Sequence, residues 1–429
     1  MIQPRPPRAE VGLPWDQTVA DPVAALADAR AVHGDTFAVS GDGHDYLFVF
    51  SAEGVRSFYE LPEAAASKGV ADWSMIRRKL PEELFADRRT FPHELFGRDD
   101  VRAYLGALDA ALDAQVGELG PSGTFDAFAF SRRLGHRIGL ASWAGGESAR
   151  GQRFEQLVVA LDVLDASEAF VRPDRMAAIE ASGKADEYTA MAVAEALITE
   201  TVQERAGRSG GTSVDLLDRI IDRWGGVAEP DRQIGIARDV ILAHLASMSN
   251  LFAAIAWTIV NLVTRPDLLA KVREGDTDLA ERCAMESIRL AQRSIMLRMV
   301  LVPVEVDDGV TVYTVGAGDF VATLLPLTNT TAGPGLGVFH ADRWNKRRLR
   351  EPSDLAAREL VTTFGHGAHS CPAQAFSLAA IVRTVARLAT EFDLTPDFHE
   401  VGHLPEQVGG VARADRPCSI TYAQRVNVT

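Results

Sequence analysis

Residues 362–379 read TTFGHGAHSCPAQAFSLA, and the rest of the chain is best read outward from them. Gly365 and Gly367 let the backbone turn tightly and approach a flat object closely. Pro372 suits the first turn of a helix, where its missing N–H costs nothing. Phe376, Ala379, Ala380, Val382, Val385 and Leu388 follow as an apolar stripe and predict a helix over about 372–391. Cys371 is therefore expected at a helix N-terminus, where the dipole and free N–H groups favour thiolate over thiol. Thiolate is the form that ligates iron. His369, two residues earlier, stands ready for an acidic group on a ligand's edge. The competing reading is a buried structural cysteine in a glycine-rich turn.

Upstream, the texture is helical across residues 98–300, with breaks at Gly120-Pro121, Gly145-Gly146, Gly207–Gly211 and Gly225-Gly226. FEQLVVALDVL (154–164) is one of these helices. Residues 240–264 carry no charge, a run long enough to cross a bilayer. His244, Ser247, Ser249, Asn250 and Asn261 interrupt it, so a buried central helix is the expectation. Residues 35–50 read as a β-hairpin about Gly41-Asp42-Gly43, and Ser51 caps the helix after it. Residues 299–323 read as short strands, and the tail about VARADRPCSITY as a strand pair.

The 429 residues are 47% hydrophobic and 24% charged, enough apolar material for a sizeable core. A net charge of −15 disfavours nucleic acid, which needs a basic footprint. The cysteines Cys283, Cys371 and Cys418 lie far apart, with no disulfide framework or paired metal motif. That fits a reducing, cytoplasmic location. The opening MIQPRPPRAEVGLPWD has no apolar core, so neither signal peptide nor membrane anchor is expected.

FGHGAHSC resembles the haem-ligand loop of the cytochrome P450 family, Phe-Gly-x-Gly-x-(His/Arg)-x-Cys. Phe364, Gly365, Gly367, His369 and Cys371 match; Ala373 and Ser377 stand where the family usually has glycine and alanine. Glu286-Ser-Ile-Arg289 resembles the family's Glu-x-x-Arg helix, and Arg343 in FHADRW (339–344) its third partner. These three support the fold rather than the chemistry. By the same resemblance Arg298 and His369 face haem propionates, as does the looser pair His93 and Arg98. The resemblance covers the C-terminal half well. It implies a mainly α fold with small β subdomains and a long central helix over the haem. One domain would span 1–429, with a β-rich N-terminal part at about 30–60 and the helical body and ligand loop at about 70–429. The implied cofactor is haem b on Cys371.

The central helix departs from the family's pattern. There an acid and an alcohol pass protons to the oxygen being reduced, which is general-acid work. Aligned on Trp257 and Arg265-Pro266, this chain has Ala246-Ser247-Met248-Ser249-Asn250-Leu251. Ser249 stands for the acid and Asn250 for the alcohol. Serine relays a proton without supplying one, and an amide does not readily pass one. Three readings stay open. The first is a monooxygenase with non-standard proton delivery through Ser249 and Asn250. The second is a redox-neutral rearrangement or group transfer on a peroxide or activated N–O substrate, of peroxygenase, isomerase or nitrene-type chemistry. The third is a haem binder without turnover. Phe85, Phe91, Phe96, Phe170 and Met296 would suit a small apolar substrate, such as a bacterial secondary metabolite. The basic run at 345–350 would suit a small acidic, ferredoxin-type electron donor.

Overall fold

The computed structural model describes residues 4–91, 94–95, 97–206, 216–349 and 355–425. The Gly207–Gly211 break, Phe96 and His93 lie outside these residues.

The N-terminal hairpin forms as its sequence directs. Strands Thr36–Gly41 and His44–Val49 pair antiparallel, with Phe37 opposite Phe48. Asp42 and Gly43 take the positive φ that the tight turn demands. The second strand then pairs in parallel with Phe320–Leu324, which pairs antiparallel with Ile295–Val300. Ala66–Ser67 completes a five-stranded sheet. The N-terminal hairpin and the outer strands of the second β region thus share one sheet, which includes Arg298, while Val304–Asp307 and Val312–Val315 pair as a separate hairpin.

The tail differs from its expected strand pair. It supplies one strand, Ser419–Gln424, between Phe392–Pro396 and Ser122–Asp126. Backbone N–H and C=O groups need partners, and here the partners come from distant segments. The strand at 122–126 interrupts a region read as helical. The basic run is also more ordered than a loop: Trp344–Asn345 and Arg348–Leu349 pair as a short hairpin, and Arg347 meets Glu281 at 2.8 Å.

The central helix, Asp231–Val263, is the axis of the helical body. Helices Ala127–Trp143, Ala185–Ala206, Thr277–Ala291 and Gln374–Glu391 pack around it. It is long and apolar enough to cross a membrane, but most of its apolar stretch is buried inside the molecule. Close approach of the 127–143 helix needs glycine: a Cβ on Gly135 would fall 2.1 Å from the Phe252 ring.

The Glu286 cluster ties the 277–291 helix to the segment before the cysteine loop. Both carboxylate oxygens bind Arg289, at 2.7 and 2.8 Å. Arg343 Nε donates to Oε1 at 3.2 Å and Trp344 Nε1 to Oε2 at 2.9 Å. Arg289 in turn donates to the carbonyls of Asn329 and Leu336. Buried charges are tolerated only when paired this fully.

Candidate functional site

The cysteine loop closes on itself. The Cys371 N–H donates to the Phe364 carbonyl at 2.7 Å, and the Gly365 N–H to Thr362 Oγ1 at 2.7 Å. Gly365 has φ +80, and a Cβ there would lie 2.5 Å from the His369 carbonyl oxygen, so glycine is required. The helix begins at Gln374, later than expected, because Pro372 and Ala373 form a turn first. Cys371 is therefore ahead of the helix rather than at its first turn. Burial pushes its thiol up, and the Ala373 N–H works against that.

One edge of the loop meets the five-stranded sheet. Arg298 Nη2 donates to His369 Nε2 at 2.6 Å. Arg298 Nη1 donates to the Leu61 and Ala66 carbonyls. Glu63 stands 3.2 Å from His369 Nε2 and 3.9 Å from Arg298. Burial, then the Arg298 charge, lowers His369 below the ordinary imidazole range. Arg298 Nε is buried with no hydrogen-bond partner among the described residues. Glu63 stands off Arg298 at 3.9 Å, so the buried Nε is a donor still without an acceptor.

The opposite wall is the central helix. Ala246, Ser249 and Asn250 line the same cavity of about 960 Å³ as Phe364, Gly365, His369 and Cys371. Its other walls are mostly apolar and include Phe170, Ile288, Met296, Leu297 and Leu325. Of the expected pocket aromatics, Phe170 joins Met296 there. Phe85 packs edge-on against Trp73, and Phe91 is exposed.

Ser249 and Asn250 point their polar atoms differently. Asn250 Oδ1 accepts from the Val411 N–H at 2.9 Å, which fastens the C-terminal loop to the helix. Ser249 Oγ donates to Asp165 Oδ1 at 2.5 Å. Asp165 ends the helix Gly151–Asp165, and Arg132 Nη2 lies 3.6 Å from its other oxygen. Neither Asp165, Arg132 nor Val411 was visible as a site residue in sequence, because each reaches the wall from a separate segment.

His244 lies off this wall. It is fully buried among Trp143, which donates to its Nδ1 at 3.2 Å, and His136, 2.9 Å from its Nε2. Of the second propionate pair, His93 lies outside the described residues. Arg98 is the first residue of the helix Arg98–Gly117, and its side chain is likewise outside them.

The donor set fits an iron porphyrin. A thiol lines a largely apolar cavity beside an obligatory glycine, and an arginine and a histidine converge at its edge without a full set of acceptors.

The chain is 22% identical to the human 24-hydroxycholesterol 7-alpha-hydroxylase, over 98% of its own length and 94% of the relative's. The mouse protein of that name is 21% identical over 98% and 93%. A cytochrome P450 monooxygenase of Gibberella zeae is 25% identical over 37% of this chain and 35% of its own. No protein-family profile matches the chain. These similarities support a place in the cytochrome P450 family, with haem as the cofactor and monooxygenase-type oxidoreductase activity at the family level.

Proposed function

We propose that this chain is a monooxygenase carrying haem b on Cys371, and that it oxidises a small, largely apolar molecule. The observation that carries the reading is the facing of Cys371 and the Ser249–Asn250 wall across one apolar cavity. When bound, the haem supplies the oxidising centre, and a thiolate ligand favours O–O cleavage. Cys371 would hold the iron. Arg298 and His369 would hold the carboxylate edge, with Gly365 allowing close contact. The apolar walls hold the substrate and exclude water. Ser249, bonded to a carboxylate rather than to a backbone carbonyl, is the proton-handling group on the distal wall. The names of the relatives, hydroxylases and a monooxygenase, agree with this chemistry.

A ferredoxin-type donor would dock at the hairpin where Lys346 and Arg348 are exposed. A cytoplasmic place in secondary metabolism belongs to the same proposal.

Asn250 favours a second reading, in which the substrate brings its own oxidising equivalent as a peroxide or N–O bond. Its oxygen is committed to Val411, and an amide does not pass protons on.

The test is an optical spectrum of the purified protein, ferric and then reduced under carbon monoxide. A strongly red-shifted Soret band that is lost in Cys371→Ala supports the assignment. A protein without haem, or an unshifted band, overturns it. Product formation with a reductase and oxygen, against product formation from a peroxide substrate alone, then separates the two reactions.

A further inference from the structure

We propose that Asp165 is the acid missing from the central helix, delivering protons to the cavity through the Ser249 hydroxyl. The inference rests on the oxygen-reducing reading above. It differs from that reading in assigning the proton's source to another helix.

Ser249 Oγ and Asp165 Oδ1 are 2.5 Å apart, within the range of a hydroxyl bonded to a carboxylate. Ser249 lines the cavity, whereas Asp165 stands behind it. The Asp165 side chain is only 9% exposed. Its Oδ2 is buried and has no hydrogen-bond partner among the described residues. A buried carboxylate oxygen without a donor is costly unless something specific retains it. Here Arg132 Nη2, 3.6 Å away, faces that oxygen and leaves Oδ1 to Ser249.

The surroundings fix the carboxyl in place. Lys79, itself buried, donates to the carbonyls of Val163 and Leu164 at 2.7 Å each, anchoring the helix end that carries Asp165. Arg132 binds Asp162 at 2.5 Å and reaches Asp165 Oδ2 at 3.6 Å. Asp162 is 37% exposed and is the nearer of these groups to solvent. Asp165 and Glu168 act on the charges of both Lys79 and Arg132, Glu187 on Lys79 and Asp162 on Arg132.

The step balances without electron transfer. With Asp165 protonated on Oδ1, the bond to Ser249 runs the other way: the carboxyl proton passes to Ser249 Oγ as the hydroxyl proton leaves toward the cavity. The carboxylate left behind regains a proton from water. Ser249 alone cannot do this, and neither can Asn250, whose oxygen is held by Val411.

The experiment uses the haem-loaded protein, with Asp165→Asn, Ser249→Ala, the double variant and Asp165→Glu. An infrared pH titration of isotope-labelled aspartate follows the carboxyl directly. One carboxyl step disappears in Asp165→Asn and moves to higher pH in Ser249→Ala, because the anion has lost its donor. With a reductase, product formed per oxygen consumed falls about tenfold or more in each single variant, a modest share of what general acids contribute. The double variant is no worse than either single, the solvent isotope effect rises in both, and Asp165→Glu recovers part of the loss. A carboxyl step indifferent to Ser249→Ala, or unchanged coupling and isotope effect in Asp165→Asn, overturns the inference alone. A wild-type protein that forms product only from a peroxide overturns the oxygen-reducing reading, and this inference with it.

Discussion

Asn250 Oδ1 accepts a hydrogen bond from the Val411 N–H at 2.9 Å, so the residue in the alcohol's place is a clasp on the C-terminal loop. The packing is close: a Cβ on Gly410 would fall 2.4 Å from the same oxygen. Gln407 continues the clasp, accepting from the Arg413 N–H and donating to the Gly409 and Val411 carbonyls. This loop forms part of the cavity wall.

Asn250→Ala should therefore act on binding before chemistry. The Val411 N–H loses its partner, at a cost of about 1 kcal/mol. The loop loosens, and the dissociation constant of a spectrally detected apolar ligand rises several-fold. The carbonyl-complex spectrum stays that of a thiolate. A variant that binds the ligand normally but changes the spectrum would contradict the clasp.

Arg298 joins the sheet, the Ala66 segment and the cysteine loop through one guanidinium. Arg298→Ala should weaken haem retention by about ten- to a hundredfold, the worth of a charge-assisted hydrogen bond or two. Arg298→Lys recovers little, since an ammonium lacks the planar fork. Haem transfer to an apo-acceptor protein measures the loss. Retention equal to wild type would remove Arg298 from the cofactor's edge.

What the sequence discloses of this site follows contact range. The Cys371 loop is legible because its glycines, proline and ligand act within a few residues of one another. Glu286 and Arg289 share one helix face, and Arg343 lies in an aromatic-flanked turn, so that cluster is legible too. The central helix shows itself by its uncharged run. Asp165 is not legible: the helical pattern ends at Leu164, and nothing local to residue 165 names Ser249 as its partner. The five-stranded sheet is hidden for the same reason, since Tyr46 and Phe320 are neighbours only after the intervening helices have folded. The start of the helix after Cys371 was misplaced because a proline permits a first helical turn without requiring one.

Glu286→Gln should be a folding mutation with no catalytic signature of its own. Burial alone would raise this carboxyl, yet the Arg289 bonds and charge, with the His340 N–H and Trp344, hold it below the usual glutamate range. Its ion pair with Arg289 is fully buried. Neutralising it leaves a buried guanidinium without a counter-charge and costs about 3–5 kcal/mol. Thermal melts should fall accordingly. In wild type, the depressed folded value means that the pair's stabilisation is full above the ordinary glutamate range. It is lost as pH falls through that lower value. A melting temperature unchanged in Glu286→Gln would show that the cluster carries no net stability.

The buried imidazoles set a second, milder acid limit. Trp143 donates to Nδ1 of His244, so the His244 proton sits on Nε2 and is shared with His136 Nδ1. His136 Nε2 then donates to Asp162 at 2.7 Å. Burial foremost, and then the His136 ring, lowers His244 well below the ordinary imidazole value of 6.5. His403, packed edge-on against Trp257, is lowered by burial to about 4. Both rings stay neutral in the fold while the unfolded chain takes up their protons. Stability is therefore full above the ordinary imidazole range. It falls on acidification by about 1.4 kcal/mol per pH unit for each ring. His403 stops contributing to the decline near its folded value of about 4, and His244 continues to contribute below the ordinary range. His244→Gln should lower stability at mildly alkaline pH, where its bonds to Trp143 and His136 are disturbed. It should also flatten the decline on the acid side by one ring's share. Denaturant melts across that range measure both effects. An unchanged slope in His244→Gln would mean that the unfolded chain, rather than the buried pair, sets the pH dependence.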